Sequence, residues 1–126
     1  MAKVHQELSF AAAPDRVYRA PLDSDQHAKF TGAPAHIGAK AGDAWSAYGG
    51  KICGRHVELV ESARIVQTWR AGNWPEGVHS IVRFEMTPEE DGTKLCLDHD
   101  ALADDQLAHI ESGWARMYWE PLRKYL

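Results

Sequence analysis

The sequence has no excess of basic charge, no long apolar run and no cysteine pair at a metal-binding spacing. Each absence closes off a class of function. Lys and Arg number 14 against 18 Asp and Glu, so the net charge is −4, and the charges are spread along the chain. Nucleic-acid binding needs a concentrated basic face, and none is present. No polybasic amphipathic stretch points to a membrane surface. No apolar run approaches the ~18 residues of a membrane-crossing helix. The opening Met1-Ala2-Lys3-Val4-His5-Gln6-Glu7 lacks the apolar core of an export signal, so a cytoplasmic location is expected. Only two cysteines occur. Cys53 and Cys96 fall in different strand candidates and read as free thiols of a reducing compartment. The seven histidines, His5, His27, His36, His56, His79, His99 and His109, form no helical His-x-x-x-His pair. None sits at a zinc-type spacing from a cysteine. There is no Gly-x-Ser-x-Gly elbow, no phosphate-cradling glycine loop, no repeat and no low-complexity segment. No metal and no cofactor are expected.

What is present is the material of one α+β domain over residues 1–126, with 44% apolar and 25% charged residues. Residues 3–10 read as a first strand, with Val4, Leu8 and Phe10 on one side. Pro14 suits the first turn of a helix over about Asp15–Ala20, which Pro21 should stop. Ser24 is the expected cap of a second short helix through Phe30, ended by Gly32. From Ala35 the chain becomes strand-rich, with candidates at 35–38, 43–48, 51–60, 64–70, 78–87 and 93–99. Gly49-Gly50 and Asp91-Gly92 mark turns, and Gly54 inside a strand reads as a bulge. Val78, Ser80, Val82, Phe84 and Met86 share one face of a strand whose other face carries His79, Arg83 and Glu85. That alternation belongs to an antiparallel sheet with one buried side. The last segment is the best helix. Asp104 is its expected cap, Leu107, Ile110, Trp114, Met117, Pro121, Leu122 and Tyr125 recur at helical spacing, and the helix is expected from Asp104 to about Arg123. Pro121 should kink it or open its last turn.

An order of one strand, two short helices, six strands and a long helix has few solutions. Hairpin-linked strands form a meander, the first strand lies beside the last, and the long helix buries its stripe against the concave face. A curved sheet cannot touch that helix everywhere. The gap left over is a candidate ligand cavity.

Five stretches carry a likeness in this order. They are Ala13-Pro14-Asp15-Arg16-Val17-Tyr18-Arg19-Ala20, Gly49-Gly50-Lys51-Ile52-Cys53-Gly54 and Arg64-Ile65-Val66-Gln67-Thr68-Trp69-Arg70, then Gly92-Thr93-Lys94-Leu95-Cys96-Leu97-Asp98-His99, then Gly113-Trp114 with Tyr118-Trp119-Glu120-Pro121-Leu122. Over nearly its whole length the chain resembles the START-like (SRPBCC) superfamily, and within it the group named after the C-terminal domain of the activator of the heat-shock protein 90 ATPase. The resemblance implies the helix-grip fold, a curved antiparallel sheet around a long C-terminal helix. It departs at Pro21, where the first helix would continue, and at Phe30, where Trp is frequent. The eukaryotic activators resemble this chain only in their second domain, so ATPase activation is not carried over with the fold.

The expected function is noncatalytic binding of a small hydrophobic or amphipathic molecule between sheet and helix. Trp69, Ser80, Val82, Phe84 and Leu97 are the expected sheet wall, with His99 as a polar handle. Trp114, Met117 and Tyr118 are the expected helix wall, and Trp74, in an Asn-Trp-Pro-Glu-Gly loop, the expected rim. A buried Ser80 or His99 must find hydrogen-bond partners or lie at a wet edge. Two other readings stand beside this one. The first is a polyketide-cyclase-like or isomerase-like catalyst using Glu58, Glu111 or His99 in the same cavity. The second is a module that binds a chaperone. Monomer and homodimer are both open.

Overall fold

The computed structural model describes residues 1–126 as a seven-stranded antiparallel sheet, two short helices and a long C-terminal helix. The strands are β1 (Ala2–Phe10), β2 (His36–Ile37), β3 (Ala44–Ala47), β4 (Ile52–Val60), β5 (Arg64–Ala71), β6 (Ser80–Glu89) and β7 (Gly92–Leu102). Their order in the sheet is β1-β7-β6-β5-β4-β3-β2. Strands two to seven are thus a plain meander, and β1 closes against β7 through Leu8–Leu95 and Gln6–Leu97 pairs. No helix is long and apolar enough to cross a membrane.

The short helices are α1 (Pro14–Leu22) and α2 (Ser24–Thr31), and two local expectations are corrected there. Pro21 does not stop α1. It is buried in the last turn, the helix runs one residue further, and the Asp23 N–H closes it on the Arg19 carbonyl. So near a helix end a missing N–H removes only one ladder bond. Asp23, not Ser24, caps α2, accepting from the Gln26 N–H at 2.9 Å. The Ser24 hydroxyl instead accepts from the Ile37 N–H at 2.9 Å and ties α2 to β2. Gly32 ends α2 at φ 74°, the left-handed cap that glycine adopts without a Cβ clash.

Gly54 is not a bulge. Pairing on both sides of it keeps register. A Cβ there would lie 1.8 Å from the Thr68 carbonyl oxygen and 2.9 Å from the Trp45 indole nitrogen. That indole crosses the glycine and donates to the Thr68 carbonyl at 3.2 Å, so the position is set by close approach. The register shifts fall elsewhere, between His56 and Glu58 in β4 and opposite Ala2–Val4 in β7. In β7 the extra residue lies among 100–101, and Ala101 stands at φ 64°. Bulges of this kind bend the bulged strand and increase its twist. Strand β6 begins at Ser80, so Val78 lies before it and is exposed, while β7 runs three residues beyond the expected end.

The C-terminal helix is continuous but not uniform. A tight turn over Asp104–Gln106 leads into α3 (Leu107–Gly113), a π-helical stretch covers Trp114–Trp119, and α4 (Glu120–Tyr125) follows. Asp104 does not cap it, since no side chain fills that role. The disturbance expected from Pro121 takes the form of this widened stretch immediately before it. Proline offers no N–H to the carbonyl four residues back, that of Met117. The Tyr48 hydroxyl donates to that carbonyl from across the molecule.

The core is aromatic where the helix meets the sheet. Trp114 stacks on Trp119 at 5.3 Å and meets Phe84 edge-on at 5.6 Å, while Tyr118 meets Trp114 at 5.0 Å. Gln6 of β1 clamps the helix to the sheet edge. It accepts from the Trp119 indole at 2.8 Å and donates to the Glu111 carbonyl at 3.1 Å.

Candidate functional site

The helix is tied to β1 by Gln6, to β6 by Phe84 and to β7 by His99, and its other side faces the β3–β4 connection and the end of β5. A cavity of about 630 Å³ opens on that side, between the helix and the stretch from Tyr48 to Ile52 with the end of β5. Its volume lies within the range that holds small organic ligands. Trp69, Ile110 and Trp114 form the apolar floor, and Tyr118 closes the inner end. Lys51, Asn73, Gln106, His109 and Arg116 surround the opening. Tyr48 spans the gap to reach the Met117 carbonyl.

Four of the expected site residues line this space: Trp69, Trp114, Met117 and Tyr118. Met117 does so from the mouth, with 53% of its surface exposed, and not from the buried face of the helix. This is a correction to its expected place in the apolar stripe. Trp74, the expected rim, does not itself line the space; it packs on Trp69 at 5.4 Å, with its indole donating to the side chain of the lining residue Gln106 at 3.3 Å. Ser80, Val82, Phe84, Leu97 and His99 are fully buried beneath the floor and do not reach the cavity. Their separation has a simple cause. Trp69 and Trp114, themselves buried, take the positions that face the cavity.

The buried polar groups among them are satisfied. The Trp114 indole donates to His99 Nδ1 at 3.0 Å, so His99 carries its proton on Nε2. That nitrogen donates to Ser80 Oγ at 2.7 Å, and the Ser80 hydroxyl donates to the Trp69 carbonyl at 2.8 Å. Every donor and acceptor in this relay is used. Burial pushes the His99 pKa down to about 3, so the ring is neutral. The relay fixes the two indole-bearing positions that make the cavity floor. His99 is therefore a support for the floor and not a handle within it.

The acid–base candidates do not assemble. Glu58 pairs with Arg64 at 3.0 Å on the sheet surface, Glu111 is exposed, and His99 is fully engaged. No Asp or Glu lines the cavity. Burial raises the pKa of both cavity tyrosines above the ordinary phenol value, and at Tyr118 the nearby Tyr48 adds to it. Both phenols are neutral hydrogen-bonding groups.

Several lining residues carried no local signal. Tyr48, Lys51 and Ile52 flank the Gly49-Gly50 turn, and only the folded turn brings them opposite the helix. Gln106, His109, Gly113 and Arg116 were legible in principle. They recur at helical spacing on the flank of the Trp114 stripe.

Comparison with known proteins agrees with this architecture. The family model described as "Activator of Hsp90 ATPase homolog 1-like protein" matches residues 11–126. The human "Activator of 90 kDa heat shock protein ATPase homolog 1" is 26% identical over 122 residues, which is 97% of this chain and 36% of that protein. The chain spans about a third of the length of the curated relatives it matches. Two solved structures share the fold at 22% identity. PFC0360w from Plasmodium falciparum, described as an HSP90 activator, superposes with a TM-score of 0.87 over 95% of this chain and 92% of its own. The Aha1 dimer from Colwellia psychrerythraea superposes with 0.83 over 100% and 96%.

Proposed function

The chain belongs to the activator of Hsp90 ATPase homolog 1-like family, and within that family we propose that it is a noncatalytic binding protein for a small hydrophobic or amphipathic ligand. The observation that carries this reading is the cavity between helix and sheet. It combines an indole floor of Trp69 and Trp114 with amide and hydroxyl groups at its edge, the mixture that small-molecule sites use to bury a ligand and orient it. The missing carboxylates and the fully engaged His99 favour binding over acid–base catalysis.

Gly113 supplies the test. It lines the cavity, and a Cβ built on it meets no heavy atom within 4 Å. Gly113→Leu therefore has room for its Cβ and places an apolar side chain at the cavity wall. It also removes a helical glycine, which costs roughly 0.5–1 kcal/mol relative to alanine. The expected result is a folded variant that no longer changes its tryptophan fluorescence with a panel of apolar and amphipathic compounds. A folded Gly113→Leu that responds as the parent does would refute the reading.

A second reading draws on the names of the relatives, which are activators of a chaperone ATPase. Contact with a chaperone is compatible with ligand binding, because the outer face of the sheet is separate from the cavity. On that face Asp98 accepts from His5 at 2.8 Å and from Arg83 at 2.9 Å.

A further inference from the structure

We propose that the cavity selects an amphipathic anion, its apolar body on the indole floor and its charged head at the mouth between Lys51 and Arg116. This rests on the binding reading above and adds the class of ligand. The charged groups lining the cavity are Lys51 and Arg116. No Asp or Glu lines it, although the chain as a whole carries −4. Lys51 stands on the β3–β4 connection and Arg116 on the C-terminal helix, so two separate elements bring cations to one opening. Neither forms an ion pair within the chain. Arg116 also borders a shallow depression with Lys29, Glu120 and Lys124. Glu120, one turn further along the helix, makes no ion pair with it, so both cations are free for a ligand.

The arrangement fits a head held at the wet edge. Lys51 and Arg116 are exposed, where a cation keeps its hydration and still attracts an anion over the Debye length. Their long stems extend the apolar wall outward. Asn73 and Gln106 add amide donors at the same edge. A cationic amphiphile would meet two like charges there, and a neutral one would gain only the floor.

The test uses matched single-chain probes, decanoate, decyl phosphate, decanol and decyltrimethylammonium, each below its micellar concentration and followed by tryptophan fluorescence. Decanoate or decyl phosphate should bind at least about tenfold more tightly than decanol. The preference should fall as salt is raised. In Lys51→Gln/Arg116→Gln, which keep most of each stem and remove the charge, the anion should lose its advantage over decanol. In Lys51→Glu/Arg116→Glu the preference should pass to decyltrimethylammonium. Comparison of the two anions tells a carboxylate head from a phosphate head. Equal binding of anion and decanol, unchanged in the variants, would overturn this inference and leave the binding reading standing. Failure of all four probes to bind would overturn both.

Discussion

Ser80, His99 and Trp114 show how much depends on single polar atoms under an aromatic floor. Ser80→Ala leaves the His99 Nε2 proton and the Trp69 carbonyl without their partner, both out of reach of water. The expected cost is about 1–3 kcal/mol in urea unfolding. His99 also sets a pH dependence. Its folded pKa is pushed down to about 3 from an ordinary 6.5, and burial holds His27 at about 4. A neutral buried histidine contributes stability that is fully present above pH 6.5 and is lost as pH falls toward the folded value. Between pH 6.5 and 4 each such ring should remove about 1.4 kcal/mol per pH unit. At Asp98 burial would raise the pKa, but the hydrogen bonds from His5 and Arg83 prevail and hold it at about 2. Its contribution is lost only below about pH 4. His5 is exposed and its pKa is raised by hydrogen bonds to Glu7 and Asp98, so its small contribution runs the other way, present in acid and lost as pH rises. Urea midpoints measured from pH 7 to 4 should fall throughout, and His99→Gln should fall less steeply. A flat profile would contradict the neutral buried rings. The sequence showed that Ser80 and His99 needed partners. It could not show that the partner was Trp114, because that contact exists only once the helix is docked.

At the scale of elements, the C-terminal helix and its proline tie the cavity together. Pro121 leaves the Met117 carbonyl free of its usual ladder bond, and the Tyr48 hydroxyl fills it from the β3–β4 connection. This link holds the far wall to the helix across the cavity. Tyr48→Phe should therefore cost about 1 kcal/mol and loosen the Tyr48–Ile52 stretch. Pro121→Ala restores an N–H to the helix ladder, so the cost of Tyr48→Phe should shrink in that background. A double-mutant cycle measures this coupling, and additive effects would argue against the link. The order of strands and helices was legible in the sequence because the period-two and helical patterns are strong in β6 and around Trp114. The curvature was not. Gly54 drew attention as a bulge, whereas the shifts in register come at Val57 in β4 and near Ala101 in β7. An alanine or valine carries no mark of a bulge, since what decides one is the pairing of neighbouring strands. The same limit hid Tyr48 and Lys51, which reach the cavity only through the turn they flank.

For the whole molecule, the matched relatives are about three times as long as this chain, so their activity does not follow from the shared fold. This domain alone should leave the ATPase of a heat-shock protein 90 from the same source unstimulated, and saturable activation in that assay would contradict the expectation. The central claim is that the gap between helix and sheet is a binding site. The tryptophan indoles report on it, two from its lining and others from outside it. Trp69 and Trp114 form its floor and Trp74 packs on Trp69 from outside the lining, while Trp45 lies across Gly54, bonded to the Thr68 carbonyl. The most direct measurement follows the indole N–H signals by two-dimensional nuclear magnetic resonance while decanoate or decanol is added. The account predicts saturable shifts at Trp69, Trp74 and Trp114 with Trp45 unmoved. Signals that stay still for both probes, or shift together without saturating, would contradict it.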